Sequence, residues 1–211
     1  MSFIGAQIYD KSMAGSEEAC LGEWRKALLG QVTGAVLEIG AGTGANLEFY
    51  PTTGVNLVLS EPDKNMRKKL QERLSKSGKT RVSIVTGSAE SIDTPDESFD
   101  YVVSALVCCS VVNLELALIE IKRVLKPGGR LVFLEHVAAA EGSKRRRWQN
   151  RINPLWRLVA GNCHLNRETE AALVATGFTI ESIQRESMRK AMPIVRPTIR
   201  GMAIKPALGS G

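Results

Sequence analysis

Three glycines in five residues, Gly40-Ala41-Gly42-Thr43-Gly44, stand directly after the apolar run Val36-Leu37-Glu38-Ile39. Glycine permits positive φ and leaves no side chain between a backbone amide and a ligand. In an open α/β sheet, the loop after a strand lies at the edge where ligands bind. The spacing Gly40-x-Gly42-x-x-Ala45 also satisfies a relaxed dinucleotide fingerprint, so the loop alone serves a nicotinamide or flavin enzyme equally well. Glu38 sits inside the apolar run, and a carboxylate buried there needs a partner. A cationic amino group or a backbone donor near the ligand would provide one. Glu61, followed by Pro62, closes a second run from Val55 to Ser60, and a carboxylate at that point can accept from both hydroxyls of a ribose. Gly87-Ser88-Ala89-Glu90 follows a third run (Val82, Ile84, Val85), where a polar turn can read an adenine edge.

The elements that must carry these residues alternate. After the second run a helix is predicted from about Asp63, with Met66, Leu70 and Leu74 spaced by four. Phe99 to Val107 reads as a fourth strand. Leu114, Leu118, Ile121 and Leu125 fall at helical spacing, and Lys126-Pro127-Gly128-Gly129 then stops the helix and reverses the chain into a fifth strand, Arg130 to Val137. Strand and helix in alternation argue for a doubly wound, mostly parallel sheet with helices on both faces. Before it, Glu17 to Leu29 reads as one amphipathic helix with Cys20, Leu21, Trp24 and Leu28 on one side. After it, Arg167 to Thr176 is helical in pattern, and Phe178 to Ser182 and Thr198 to Ile204 are strand-like. One domain over 1–206 is expected: an N-terminal lid and helix (1–30), the ligand-binding core (31–137), a basic and aromatic cover (138–177) and C-terminal strands (178–206), with 207–211 a loose tail.

Charge is uneven. The net charge is +6, yet residues 141–211 hold 13 Lys/Arg against 5 Asp/Glu. The densest stretch is Lys144-Arg145-Arg146-Arg147-Trp148, joined by Arg151, Trp156 and Arg157. Trp148, Ile152, Leu155, Trp156 and Val159 share a helical side there, although Pro154 is expected to bend or restart that helix. Such a helix can cover a pocket with its apolar side, or lie peripherally on an anionic membrane through 144–157. A nucleic-acid role is disfavoured, because no reader motif accompanies the charge. The start, Met1 to Met13, has no secretory pattern, and no run approaches the roughly 18 apolar residues of a span. The expected address is cytoplasmic, membrane-peripheral at most. Cys20, Cys108, Cys109 and Cys163 form no C-x-x-C and only two histidines exist, so reduced thiols and no metal site are expected.

The segments VLEIGAGTG (36–44), SEPD (60–63), GSAESIDTPDESFDYVV (87–103) and LKPGGRLVFLEHV (125–137) together resemble the class I S-adenosylmethionine-dependent methyltransferases. The resemblance covers about half the chain. It implies a Rossmann-like, seven-stranded methyltransferase sandwich whose last strand, Thr198–Ile204, is antiparallel. It also implies S-adenosyl-L-methionine as donor and S-adenosyl-L-homocysteine as product. Carried over residue by residue, it puts Glu38 and the backbone of Gly40, Ala41, Gly42 and Gly44 at the methionine part. Glu61 goes to the ribose, and Ser88, Ala89 and Glu90 to the adenine, where many relatives have Asp in place of Ser88. Asn46, Pro62, Met66 and Leu106 are also placed on the cofactor side, with Tyr9 reaching in from a Tyr9-Asp10 lid ahead of the first helix.

A narrower resemblance, to the small-molecule thiol S-methyltransferases, rests on ANLEFYP (45–51), ALVCCSV (105–111), FLEHVA (133–138), GNCHLNRET (161–169) and VRPTIRGMAIK (195–205). It implies a small thiol acceptor methylated by direct in-line transfer, in a pocket with Cys109, His136, Asn162 and Cys163. His136, at the end of the fifth strand, would deprotonate or orient the acceptor. Cys108, Cys109 and Cys163 would be wall rather than nucleophiles, since direct transfer needs no covalent intermediate. The alternatives are N- or O-methylation of a lipid headgroup, quinone or natural product, RNA methylation, and a cofactor-binding, membrane-associated module without catalysis.

Overall fold

Strand β1 (Gly34–Ile39) has its last four residues buried, which only a central strand requires. It pairs in parallel with β2 (Val55–Ser60) on one side and β4 (Phe99–Ala105) on the other. With β3 (Val82–Val85), β5 (Leu125–His136), β6 (Thr179–Ser187) and β7 (Pro197–Ile204), the sheet runs β3-β2-β1-β4-β5-β7-β6. Strand β7 is antiparallel to both β5 and β6, so the expected antiparallel strand is present. Chain direction across the sheet switches between β1 and β4, and at such a point the carboxyl ends of neighbouring strands open a crevice. This computed structural model describes residues 3–207, with side chains described from residue 10 onward.

The period of two in β1 divides its side chains between two cores. Leu37 and Ile39 join Val102, Leu131 and Phe133 beneath α4 (Leu114–Val124). Val36 joins Leu57, Leu59, Val132 and Leu134 beneath the N-terminal helices and α3 (Lys64–Lys76). Glu38 shares the face of Val36, so its carboxylate is driven under those helices rather than out along the strand. Helix starts are capped as their sequences suggest: Asp63 accepts from the amides of Asn65 and Met66, Asn113 from Leu116, and Ser143 from Arg146.

Several boundaries differ from expectation. Tyr9 and Asp10 lie inside a helix, α1 (Phe3–Ser16), not ahead of one, and the side chain of Tyr9 is outside the described set. The stretch Glu17 to Leu29 is not one α-helix. A π-turn at Glu17–Leu21 inserts a residue, with the Gly22 amide bonding to the Glu17 carbonyl, before α2 (Gly22–Leu29). Strand β4 stops at Ala105 because Leu106 turns to φ +61°. Strand β5 begins at Leu125, with the Pro-Gly-Gly reversal absorbed as a register shift between the pairings of Phe99 and Tyr101. Helix α5 (Lys144–Val159) runs through Pro154 unbroken. The donor that proline lacks would have bonded Asn150, an exposed residue whose carbonyl water can satisfy. Helix α6 (Thr169–Ala175) precedes β6.

Candidate active site

The glycine loop is tied to the end of β2 by the Ala41 amide, 2.9 Å from the Ser60 carbonyl. Gly40 and Gly42 both have positive φ, +56° and +58°, but for different reasons. A Cβ on Gly40 would come within 2.7 Å of Val107, whereas one on Gly42 would meet only the Gly40 carbonyl at 4.0 Å. Gly40 is therefore small so that the chain after β4 can pack against it. Gly42 presents bare backbone to open space. Beside it, Glu61 accepts from the Gly42 amide at Oε2 and from the Asp63 amide at Oε1, each at 2.8 Å. Glu61 is buried, and burial raises its carboxyl above the ordinary range. Pro62 and Met66 follow at the start of α3, and the carbonyls of Glu61 and Pro62 receive the guanidinium of Arg67. Asp10 of α1 closes on the loop, accepting from Thr43 at 2.7 Å and pairing with Lys69 at 3.3 Å.

Glu38 does not reach the open side of the loop. Its oxygens accept from Asn46 Nδ2 (2.9 Å) and the Tyr50 hydroxyl (2.7 Å), and Asn46 in turn accepts from Arg25, whose other nitrogens hold Glu17. The partners expected near a ligand are thus protein groups behind the loop, and Asn46 is buried with them. Burial pushes the Glu38 carboxyl up to about 7 against these bonds. The folded chain then holds this proton when the unfolded chain has lost it. Stability from Glu38 is complete below the ordinary 4.5 and is lost as pH rises through about 7. Relative to Glu38→Gln, urea-unfolding stability of the parent should fall by about 3 kcal/mol between about pH 5 and about pH 8. Parallel pH profiles for the two chains would contradict it.

The remaining cofactor-side residues are more structural than expected. Ala89 is buried against the core of Leu37 and Ile39, and Ser88 turns back to Ser91. Glu90 accepts from the amide of Val112 at 2.6 Å and of Asn113 at 3.4 Å, so it fastens the approach to α4. The Leu106 amide bonds to the Leu134 carbonyl at 2.7 Å.

Beyond β4 lies a group the sequence reading missed. Glu135, fully buried, accepts from the Ser104 hydroxyl (2.6 Å) and the amides of Val107, Cys108 and Cys109 (3.2, 3.1 and 3.4 Å). Burial raises its carboxyl too. From the other side the same loop's carbonyls are held. Arg167 donates to those of Cys108 and Val111, Asn162 to those of Ser110 and Val111, and the His164 amide to that of Cys109. Asn162 is therefore a clamp, with its oxygen receiving Arg157. The signal for Glu135 was present: like Glu38, it is an acid inside an apolar strand.

This clamp brings three expected pocket residues together. His136 Nε2 lies 2.7 Å from Cys163 Sγ, and the ligating atoms of Cys109, His136 and Cys163 all fall within 4.8 Å of one another. His136 and Cys109 are buried and Cys163 is half-buried. The neighbouring Cys109 thiol, together with burial, holds the Cys163 thiol above its ordinary range. Cys108 is enclosed beside Ser104 and lines nothing.

Helix α5 buries only part of the side expected to face inward. Of the expected apolar side, Ile152 and Trp156 are half-buried, but Trp148, Leu155 and Val159 are exposed, while Gln149 is fully buried, accepting from Ala139 and donating to the carbonyls of Val137 and Ile194. A cavity of about 890 Å³ lies between the start of α5, α6 and the β6–β7 edge, away from the glycine loop. No helix among the described residues is long and apolar enough to cross a membrane.

A methyltransferase domain family matches residues 37–133, from β1 through most of β5. The human protein named Thiol S-methyltransferase TMT1A is 34% identical over 94% of this chain and 82% of its own length. The mouse protein named Thiol S-methyltransferase TMT1B is 36% identical over 81% of this chain and 70% of its own. Among solved structures, the [4+2]-cyclase SpnF superposes with a TM-score of 0.72 at 19% identity, covering 89% of this chain and 80% of that one. A cyclase on the same fold shows that architecture alone does not set the reaction, so the assignment rests on the sequence relatives. On that ground the chain belongs to the class I S-adenosylmethionine-dependent methyltransferases, in the group of the thiol S-methyltransferases.

Proposed function

We propose that the chain methylates the sulfur of a small thiol by direct in-line transfer. The observation that carries this reading is the reach of the likeness to the human thiol S-methyltransferase. It extends over 94% of the chain, past the glycine loop into the segments that build the acceptor side.

The residues present fit the donor. Gly42 offers backbone with no side chain in the way, and the Glu61 carboxylate stands next to its amide, where ribose hydroxyls can donate to it. When bound, S-adenosylmethionine supplies a methyl group on a positively charged sulfur. Gly42, Glu61 and Met66 hold it, and Ser88 and Ala89 border its base. Glu38, Asn46 and Tyr50 keep the loop rigid from behind, and Asp10 of α1 closes over Thr43. Val107, packed on Gly40, couples the loop to the chain carrying Cys109. The acceptor side then lies beyond Val107, among Cys109, His136 and Cys163. Holding two reactants in line supplies much of the rate in such a displacement.

Turnover of labelled donor with small alkyl thiols, primary amines and phenols tests the reading. Thiols should exceed the others in kcat/KM by about 100-fold, because a thiol is already partly thiolate near neutral pH. Turnover of an amine or phenol with none of any thiol would replace it with N- or O-methylation.

A further inference from the structure

We propose that Cys109, His136 and Cys163 form a zinc site whose fourth position receives the acceptor thiol. The three residues come from the loop after β4, the last residue of β5 and the turn after α5, each 27 positions from the next. No ligand spacing in the sequence betrays them, and the sequence pattern alone predicts no metal. The fold brings their ligating atoms within 4.8 Å. Zinc bonds of about 2.3 Å to sulfur and about 2.0 Å to nitrogen place tetrahedral ligands roughly 3.5–3.8 Å apart, so small side-chain shifts suffice.

The donor set is specific. Two thiolates and an imidazole suit zinc, and three protein ligands with one open position are the arrangement of reactive rather than structural zinc. The ligands are also held by other bonds. Cys109 has its amide on Glu135 and its carbonyl on the His164 amide. His136 sits in the β5–β7 ladder opposite Thr198, and the Cys163 amide bonds to Ala160. His136 is also 95% buried, with Nε2 turned onto Cys163 and so into the cluster. Cys163, half-buried, is the member nearest solvent, leaving an approach for a fourth ligand. Two thiolates neutralise the ion before the acceptor binds.

The chemistry follows from the position, and this part rests on the thiol reading above. An acceptor RSH binding zinc releases its proton to solvent and stays as thiolate. Its sulfur forms the new bond to the methyl carbon as the bond from that carbon to the donor sulfonium breaks, the electron pair remaining on the donor sulfur. The thioether product, lacking charge, is a weaker ligand and leaves.

Cobalt(II) titration of the full chain, purified under reducing conditions and treated with chelator, tests the site without any turnover. One cobalt per chain should bind, with thiolate-to-cobalt absorption in the near ultraviolet. That absorption should drop by about half in Cys109→Ser and in Cys163→Ser, as expected when one of two thiolate ligands is lost. His136→Ala should weaken binding, and melting curves of all three report folding. No band in the parent, a band unchanged in the variants, or a Cys109–Cys163 disulfide persisting in reductant would overturn the site. Thiol methylation that stays undiminished after zinc is stripped would overturn its role while leaving the thiol reading intact. Cobalt bound with no thiol turnover would instead sink the thiol reading and keep the metal site.

Discussion

Glu61→Ala should lower affinity for S-adenosylhomocysteine by about 100-fold or more, read by calorimetric titration, with melting little changed. Hydrogen bonds to a charged group contribute about 1.5–3 kcal/mol each. Two ribose hydroxyls on one carboxylate therefore account for a loss of that size. The protein bonds that Glu61 makes, from the amides of Gly42 and Asp63, lie beside open backbone where water can replace the carboxylate. That is why binding should suffer more than folding. Glu61→Gln keeps one acceptor and loses the charge, so a drop of roughly 10-fold is expected, about one such interaction. Parent-like affinity in Glu61→Ala would show that the ribose lies elsewhere.

The parts of this site that depend on neighbours in sequence were legible. Strand, glycine turn and the acid at the end of the next strand are local patterns, and Gly40, Gly42 and Glu61 meet as that order requires. The antiparallel β7 was legible by resemblance. What failed depended on which face a residue takes. The resemblance places Glu38 toward a ligand, but the alternation of β1 puts it on the face of Val36, under α2 and beside Asn46 and Tyr50. In α5 the hydrophobic pattern pointed Trp148, Leu155 and Val159 inward. Yet Gln149 is the buried residue, because three backbone groups satisfy its amide completely and cancel the cost of burying it. Arg167 and Asn162 grip carbonyls more than 50 residues away in sequence. Only the finished sheet, with β5 between β4 and β7, makes those contacts and the Cys109–His136–Cys163 group visible.

Glu135→Ala is the substitution from which the largest loss of stability is expected, and its logic separates the two halves of the site. The carboxylate gathers four donors: one hydroxyl and the amides of Val107, Cys108 and Cys109. With Glu135 fully buried, water has no ready route to replace it. Stranding buried donors costs about 1–3 kcal/mol each, and adjacent ones share part of that cost, so a loss of about 4 kcal/mol is reasonable. For a chain of this length that lowers the melting temperature by about 10 °C. Glu135→Gln should lose far less, because Oε1 alone serves Ser104, Val107 and Cys108, and an amide oxygen can take its place. The functional consequence runs through Leu106, whose φ of +61° is a conformation branched side chains avoid. The Glu135 bonds immediately after it hold that turn in place. Released, the loop should carry Val107 off Gly40 and Cys109 away from His136. Cofactor affinity and cobalt binding should therefore fall together in Glu135→Ala, whereas Glu61→Ala should cost only the first. Loss of cobalt binding with cofactor affinity and melting both intact would mean that Glu135 does not hold this loop.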